Sequence, residues 1–182
     1  LSSTASMGGV LQLILPPVPE KAALLYLELG APPRLVRHLQ VVHASALMLV
    51  DGLARCFPDL AFDRQMVLLG AAIHDLGKVL HPEEIQGPGH LHEINGPGLL
   101  EQHGLEASLA RFARTYAEWE GEGSEDLLVA LADMVWKGHR HDALEQAICR
   151  AITAQSGVSD WQAWSVIDEL AEAICLKLSG WI

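Results

Sequence analysis

Residues 66–78 read MVLLGAAIHDLGK, an apolar stretch that ends in a histidine and an aspartate, followed by a glycine and a lysine. Burying an imidazole and a carboxylate is costly unless both groups are paired. A divalent cation offsets this cost, because imidazole nitrogen and carboxylate oxygen are common metal ligands. His74 and Asp75 therefore predict a metal centre at the end of a helix. The alternative is a histidine that caps the helix beside a solvated aspartate.

Apolar residues on both sides of this stretch recur with helical spacing. The pattern predicts helices at residues 20–29, 34–56, 92–103, 106–119, 125–137, 142–154 and 160–178. For the helix at residues 64–76, we expect Asp63 as the N-cap and Gly77 as the residue that ends it. Ser124 and Asp142 are expected caps of later helices. No alternation typical of strands extends beyond a few residues, so the sequence predicts an all-α fold.

The chain has 182 residues, which suffices for one sizeable hydrophobic core. We expect a single domain over residues 1–182, a helical bundle with its core at about residues 33–138. A C-terminal helix at residues 158–178 is expected to pack on that core. Residues 1–9 are set apart as a tail, either disordered or a cloning remnant. The three cysteines, Cys56, Cys149 and Cys175, form no paired motif, which favours a reducing cytoplasmic location with all three thiols buried.

The formal net charge of −11 restricts the partners. Duplex nucleic acid and anionic membranes require clustered lysine and arginine, whereas the 12 basic residues here form no run. No uninterrupted apolar run approaches the roughly 18 residues of a membrane span. We therefore expect neither duplex nucleic acid nor a membrane as a partner. An anionic substrate would need a local cation, since the overall field repels it.

Asp133 is a second polar residue in apolar surroundings, within LLVALADMVW at residues 127–136. It needs a partner, which is either a metal ion, an arginine such as Arg114, or solvent along a polar stripe. His38 and His43 both lie on the helix at residues 34–56. They point in different directions, and periodicity does not choose between them.

The segment HLHE at residues 90–93 adds two further histidines near a predicted helix start. His92 is a candidate metal ligand or substrate contact. The alternative is an exposed polar loop, and this is the preferred interpretation for His90. His81, His139 and His141 are expected at the surface.

Together these residues resemble the HD-domain superfamily of metal-dependent phosphohydrolases. The family pattern is a histidine, then a His-Asp pair, then a distal aspartate, all on helices of an all-α bundle. Here the corresponding segments are RHLQVV at residues 37–42, AIHDLGK at residues 72–78 and LADMVWKG at residues 131–138. HEING at residues 92–96 is similar to a His-Glu-x-x-Gly segment of several branches.

The resemblance implies that His38, rather than His43, joins His74, Asp75 and Asp133 around one divalent ion. Mixed ligands of this kind suit Mn, Fe, Co, Ni or Zn, and Mg is compatible if water completes its shell. Family members with two metals supply a further histidine on the helix after the His-Glu segment. Residues 113–119 read ARTYAEW and contain none. One ion is therefore expected, with His92 beside it or at the substrate.

The implied activity is hydrolysis of a small phosphorylated, nucleotide-like substrate by a metal-activated water. In this interpretation Asp75 also orients the water, Lys78 contacts a phosphate oxygen, and His92 protonates the leaving oxygen. Lys137 is a second candidate for the phosphate contact. Two alternatives are a non-catalytic regulatory domain that binds a nucleotide or metal, and an oxygenase, which would need a two-metal ligand set.

The last helix carries Trp161 and Trp164 together with a series of aliphatic residues. This pattern is most simply a stripe facing the core. The alternative is that the two tryptophans form a homodimer interface.

Overall fold

The structure is a computed structural model that describes residues 14–181, so the tail predicted at residues 1–9 lies outside the described residues. The helices are α1 (Glu20–Glu28), α2 (Pro33–Cys56), α3 (Arg64–Ile73), α4 (Leu91–Gln102), α5 (Ala107–Ala110), α6 (Phe112–Thr115), α7 (Ser124–Val135), α8 (Asp142–Ser156) and α9 (Asp160–Leu178). Two 3-10 turns, Leu76–Val79 and Pro82–Ile85, connect α3 to α4. Residues 14–181 contain no strand, and the predicted all-α fold is confirmed.

Helix α2 is the central element, packed against α3, α7 and α9. By length and composition alone it would also qualify as a membrane span, because that criterion tolerates isolated charges. However, 61% of its most apolar window is buried within the protein. Its apolar face, including Leu49, Val50 and Leu53, is fully buried. The buried fraction of helix α2 is therefore that of a core helix in a folded domain.

A second apolar cluster lies where α1 packs against the end of α3. Tyr26 is buried there, and its hydroxyl donates to the carbonyl oxygen of Ala72 at 2.6 Å. Leu39 and Ile73 are fully buried in the same cluster. These contacts fix the last turn of α3, which the His-Asp pair directly follows.

The end of α3 differs from the prediction. The α-helix ends at Ile73 and not at Leu76, with His74 as its C-cap, and a 3-10 turn follows. Gly77 does not have the positive φ of a helix-ending glycine. Instead, a Cβ at this position would overlap the carbonyl oxygen of His92 and lie 2.9 Å from the Cα of Gly96. Gly77 therefore permits close packing of the 3-10 turn on α4.

Helix α9 begins with a capping box between Ser159 and Gln162 and packs through buried Ile167 and Ile174. The two tryptophans do not join this stripe. Trp161 is 71% exposed and Trp164 is 41% exposed, and their rings stack with centroids 5.4 Å apart. Their predicted core-facing position was therefore wrong, while the homodimer interface stays a prediction.

Several local predictions were also wrong. Gly123, not Ser124, precedes α7 as its cap, and the His141 side chain, not Asp142, caps α8. Residues 106–119 form the two short helices α5 and α6 instead of one continuous helix. Cys56 is exposed and Cys175 is partly exposed, so only Cys149 fits the prediction of buried thiols.

Candidate metal centre

Three helices bring four polar side chains together at one point between them. Helix α2 contributes His38, the end of α3 contributes His74 and Asp75, and α7 contributes Asp133. Helices α2 and α7 are joined beside the site by Ser45, whose hydroxyl donates to the carbonyl oxygen of Ala132 at 2.8 Å. Since Ala132 directly precedes Asp133, this buried hydrogen bond fixes the approach of the aspartate.

The side-chain atoms that face one another are ring nitrogens and carboxylate oxygens. Nε2 of His38 lies 3.1 Å from Oδ2 of Asp75 and 3.4 Å from Oδ1 of Asp133. Nε2 of His74 lies 3.8 Å and 3.7 Å from the same two oxygens. The donor atoms of His38, His74 and Asp75 lie within 4.8 Å of one another. Asp133 is not part of this group of three, although its Oδ1 lies 3.4 Å and 3.7 Å from the two ring nitrogens.

The chemistry of this donor set fits a divalent ion. Nδ1 of His74 lies 2.9 Å from the carbonyl oxygen of Ala71, which only accepts hydrogen bonds, so Nδ1 carries the proton. With a neutral ring, as a metal ligand requires, Nε2 would present its lone pair to the two carboxylates. Nε2 of His38 and Nε2 of His74 are buried without a hydrogen-bond partner among the described residues. Two such nitrogens beside two carboxylates form a typical transition-metal donor set.

Both carboxyl groups are held in their ionised forms. Burial alone would raise the pKa of Asp75, but His74, His38 and His92 outweigh it and hold that pKa well below its usual range. For Asp133, burial is likewise outweighed by His74, Lys137 and His38, so its pKa is lowered. Ionised carboxylates are the form that binds a cation.

His43, the competitor of His38, lies elsewhere on α2. Its side chain is buried, and burial together with the charge of Arg64 lowers its pKa to about 4. It is absent from the group of facing donor atoms, which contains His38. The geometry therefore brings His38, and not His43, to the His74-Asp75 pair. The role of His38 as a metal ligand stays a prediction.

Two lysines bind the two aspartates. Nζ of Lys78 donates to Oδ2 of Asp75 at 2.5 Å, and Nζ of Lys137 contacts both carboxylate oxygens of Asp133 at 2.9 Å. Arg114 pairs instead with Glu118. The alternative pairing of Asp133 with Arg114 was therefore wrong.

His92 lies on the other side of Asp75, with Nε2 at 3.2 Å from Oδ1 of that residue. Nδ1 of His92 donates to Oε2 of Glu84 at 2.5 Å. The Tyr116 hydroxyl lies 2.8 Å from Nε2 of His92 and donates to Oδ1 of Asp75 at 2.9 Å. Although burial would lower the pKa of His92, its hydrogen bonds to Asp75 and Glu84 raise it. His92 therefore favours the protonated form.

Glu84 and Tyr116 were not among the residues predicted for the site. Glu84 is buried and accepts hydrogen bonds from the backbone N–H groups of Leu91 and His92, at the start of α4. Burial would raise its pKa, but the bonds from His92 and Leu91 outweigh it and lower the pKa to about 2. No signal in the sequence marks Glu84 or Tyr116. The overlap of a Cβ at Gly89 with the Glu84 side chain is a property of the folded chain.

The remaining histidines lie outside this cluster. His90, His139 and His141 are exposed, as expected. His81 is only partly exposed, and its Nε2 lies 2.9 Å from the side-chain nitrogen of Asn95, so its predicted surface position was wrong.

A cavity of about 210 Å³ opens beside the cluster. Its lining combines two of the candidate ligands with three cationic and three apolar side chains: Arg34, Leu35, His38, Asp75, Lys78, Ile85, Trp136 and Lys137. A small anionic molecule could thus reach the cluster from this side.

The fold and the cluster together define a class, that of helical domains with a His/Asp cluster that could hold a divalent metal. A family model named HD domain matches residues 42–178, three quarters of the chain, and the chain belongs to this family. HD domains are generally metal-dependent hydrolases. The match includes His74, Asp75, His92 and Asp133. It begins beyond His38, so only the contacts of His38 in the structure place it in the cluster. No curated protein and no solved structure matches the chain significantly.

Proposed function

We propose that the protein is a metal-dependent phosphohydrolase that acts on a small phosphorylated, nucleotide-like molecule. The observation that carries this proposal is the pair of buried, unbonded Nε2 atoms of His38 and His74, which face two ionised carboxylates beside an open cavity. Buried ring nitrogens usually have a hydrogen-bond partner, and a bound cation would supply the missing partner of these two.

The ligands in this proposal are His38, His74, Asp75 and Asp133. Two neutral imidazoles and two carboxylates suit one divalent ion, either Mn, Fe, Co, Ni, Zn or Mg. Such an ion would supply a bound water of lowered pKa and would draw negative charge from the phosphoryl oxygens.

Asp75 has two roles in the proposal, as a ligand and as an orienting group for the water. Its Oδ1 accepts the Tyr116 hydroxyl and faces His92, while its Oδ2 faces both candidate ligand histidines. The carboxylate is thereby held by contacts to both oxygens, which fixes its plane. A fixed carboxylate places its acceptor atoms for catalysis without further rearrangement.

His92 is the proposed proton donor to the leaving oxygen. Its Nδ1 proton is bound by Glu84, which fixes the ring and leaves Nε2 directed at Asp75 and Tyr116. The raised pKa favours a protonated ring, the form that a general acid requires. Lys78 is the proposed contact to a phosphoryl oxygen, because its ammonium group lines the cavity beside Asp75.

The cavity supports a small substrate. At about 210 Å³ it has room for a phosphorylated head group, and Leu35, Ile85 and Trp136 offer apolar contacts to an organic part. The net charge of −11 supports the absence of duplex nucleic acid and membranes among its partners. We also propose that the protein is cytoplasmic.

The second candidate is a regulatory HD domain that binds a nucleotide without turnover. The bonds from Lys78 to Asp75 and from Lys137 to Asp133 favour it, because they satisfy both carboxylates within the protein. A domain of this kind would bind an anion through its lysines and would not require a metal.

Elemental analysis of the purified protein, combined with hydrolysis of p-nitrophenyl phosphate and bis(p-nitrophenyl) phosphate, tests the proposal. We expect a stoichiometric divalent metal and metal-dependent hydrolysis, which His74→Ala and Asp75→Ala each abolish. His139→Ala, at an exposed histidine, is the control and should keep both metal and activity. Full activity in both site variants would overturn the proposal. A protein with neither metal nor hydrolysis would support the regulatory alternative.

A further inference from the structure

Three cations line the cavity, and they differ in what they bind. Lys78 and Lys137 are each bonded to an aspartate of the candidate metal centre. Arg34 is exposed and lies one helical turn before His38 on α2, so both side chains leave the helix on the same face. Among residues 14–181, it is the one cation of the three for which the structure gives no carboxylate partner.

The charges of the cavity exceed what one phosphate requires. The two negative charges of Asp75 and Asp133 would balance a divalent ion. The same carboxylates bind Lys78 and Lys137, so an ion held by Asp75 and Asp133 would compete with both ammonium groups. The lysines and Arg34 then remain as positive charge in a chain that is otherwise strongly acidic.

A single phosphate does not match this excess. A phosphomonoester carries roughly −1.5 to −2 charges near neutral pH, which the two lysines beside the ion suffice to neutralise. The positive charge of Arg34 then has no phosphate charge to balance it. A planar guanidinium binds a phosphate through two parallel hydrogen bonds, whereas lysine offers a point charge. The position and chemistry of Arg34 therefore fit a second phosphate group.

We propose that the substrate carries two phosphate groups, one held at the ion by Lys78 and Lys137 and the other bound by Arg34. This inference rests on the proposed function and names its substrate class. The apolar wall of Leu35, Ile85 and Trp136 contacts the organic part of the same molecule. Arg34 is thus a substrate-binding residue that determines specificity between molecules with one and with two phosphates.

Helix α2 offers a matched control for Arg34. Arg37 is also exposed, but its Nη1 donates to the carbonyl oxygen of Trp181 at 3.3 Å, and it does not line the cavity. Substitutions at exposed positions usually change stability little, so Arg34→Met and Arg37→Met should both fold.

The first test measures binding, without turnover. The manganese-loaded protein is titrated calorimetrically with inorganic phosphate and with methylenediphosphonate, at a fixed concentration of free Mn²⁺. We expect the diphosphonate to bind about 10- to 100-fold more tightly than phosphate, as charge-assisted hydrogen bonds imply. Arg34→Met should lose most of this preference, Arg34→Lys should retain part of it, and Arg37→Met should match the wild type. An unchanged preference in Arg34→Met would overturn the inference.

The second test separates this inference from the proposed function. For a nucleoside diphosphate and the matching monophosphate, we compare kcat and KM in the wild type and in Arg34→Met. The expected result is a rise of about tenfold or more in KM for the diphosphate, exceeding the rise for the monophosphate, with kcat little changed. Hydrolysis of both by the wild type, with equal losses in Arg34→Met, would overturn the inference alone. Hydrolysis of neither would overturn the proposed function, and the binding titration would still decide on Arg34.

Discussion

The hydroxyl of Tyr116 donates to Oδ1 of Asp75 at 2.9 Å, although the two residues lie on different helical segments. Burial raises the pKa of Tyr116 far above its usual value, so this hydroxyl keeps its proton and remains a donor. The other oxygen of Asp75 faces His38 and His74. Tyr116 therefore positions the carboxylate from the side opposite the candidate ligands.

Replacing Tyr116 with phenylalanine removes this donor and keeps the ring. We expect kcat for phosphoester hydrolysis to fall about tenfold, and the free energy of unfolding to fall by about 1–2 kcal/mol, because a buried acceptor loses its partner. The metal content should not change, since the ligands are retained. Steady-state kinetics, urea denaturation and elemental analysis measure these three quantities. A variant with wild-type kcat would show that Tyr116 does not position Asp75.

Replacing Glu84 with glutamine tests how His92 is held. The amide keeps one acceptor oxygen. Its NH₂ group must face one of the N–H groups that donate to the carboxylate in the wild type. We expect kcat to fall about tenfold or more, as for other supporting contacts, and the thermal midpoint to decrease. Amide hydrogen exchange at Leu91 and His92 should become faster. Glu83→Gln, at the exposed neighbouring carboxylate, is the control.

Should Glu84→Gln lower the thermal midpoint but leave kcat unchanged, Glu84 would have only a structural role. A loss of kcat together with faster exchange at His92 would assign it to the positioning of that ring.

His43 predicts a dependence of stability on pH. Its folded-state pKa is about 4, below the value of 6.5 expected in the unfolded chain, because burial and Arg64 disfavour the charged ring. The unfolded state therefore binds more protons between these pH values. Stability is fully present above pH 6.5 and is lost as the pH falls towards 4, by about 3 kcal/mol in total.

Urea denaturation of the wild type and of His43→Leu between pH 4.5 and 7.5 measures this contribution. The variant should lose less stability on acidification, since it lacks the titrating ring. His90→Leu, at an exposed histidine, should follow the wild type. Equal slopes for His43→Leu and the wild type would contradict the prediction.

Gly77→Ala tests the packing of the 3-10 turn on α4. The added Cβ would meet backbone atoms of His92 and Gly96, which cannot move aside as a flexible side chain can. We expect the free energy of unfolding to fall by about 1–3 kcal/mol, and hydrolysis to weaken as His92 moves away from Asp75. Gly98→Ala adds a methyl group within α4 where nothing lies within 4 Å, and should be neutral or stabilising. Comparable stability in the two variants would refute the close-packing role of Gly77.

Much of the fold and part of the cluster could be predicted from the sequence. Helical periodicity identified the longer helices, such as α2 with its buried Leu49 and Leu53, but not the division of residues 106–119 into α5 and α6. His74, Asp75 and Asp133 stood out because a polar side chain within an apolar helix is anomalous. Both the all-α fold and membership of the HD family are confirmed.

The remaining features depend on tertiary packing. His38 and His43 lie on the same helix. Only the packing of α2 against α3 and α7 determines which of the two meets the His74-Asp75 pair. Glu84 lies in an irregular segment, where a glutamate gives no signal until the turn closes on α4. The end of α3 was predicted wrongly because Gly77 has two possible uses, a positive φ or a close approach, and the sequence does not distinguish them.

The 3-10 turn that begins after Asp75 sets the spacing between this aspartate and Lys78. Side chains three positions apart eclipse in such a turn, so the ammonium group returns directly to the carboxylate. Inserting or deleting a single residue between them would rotate the lysine by about a third of a turn, away from the aspartate. The two intervening residues, Leu76 and Gly77, are buried, so relatives that retain this turn should keep their number fixed as well as their apolar and small character.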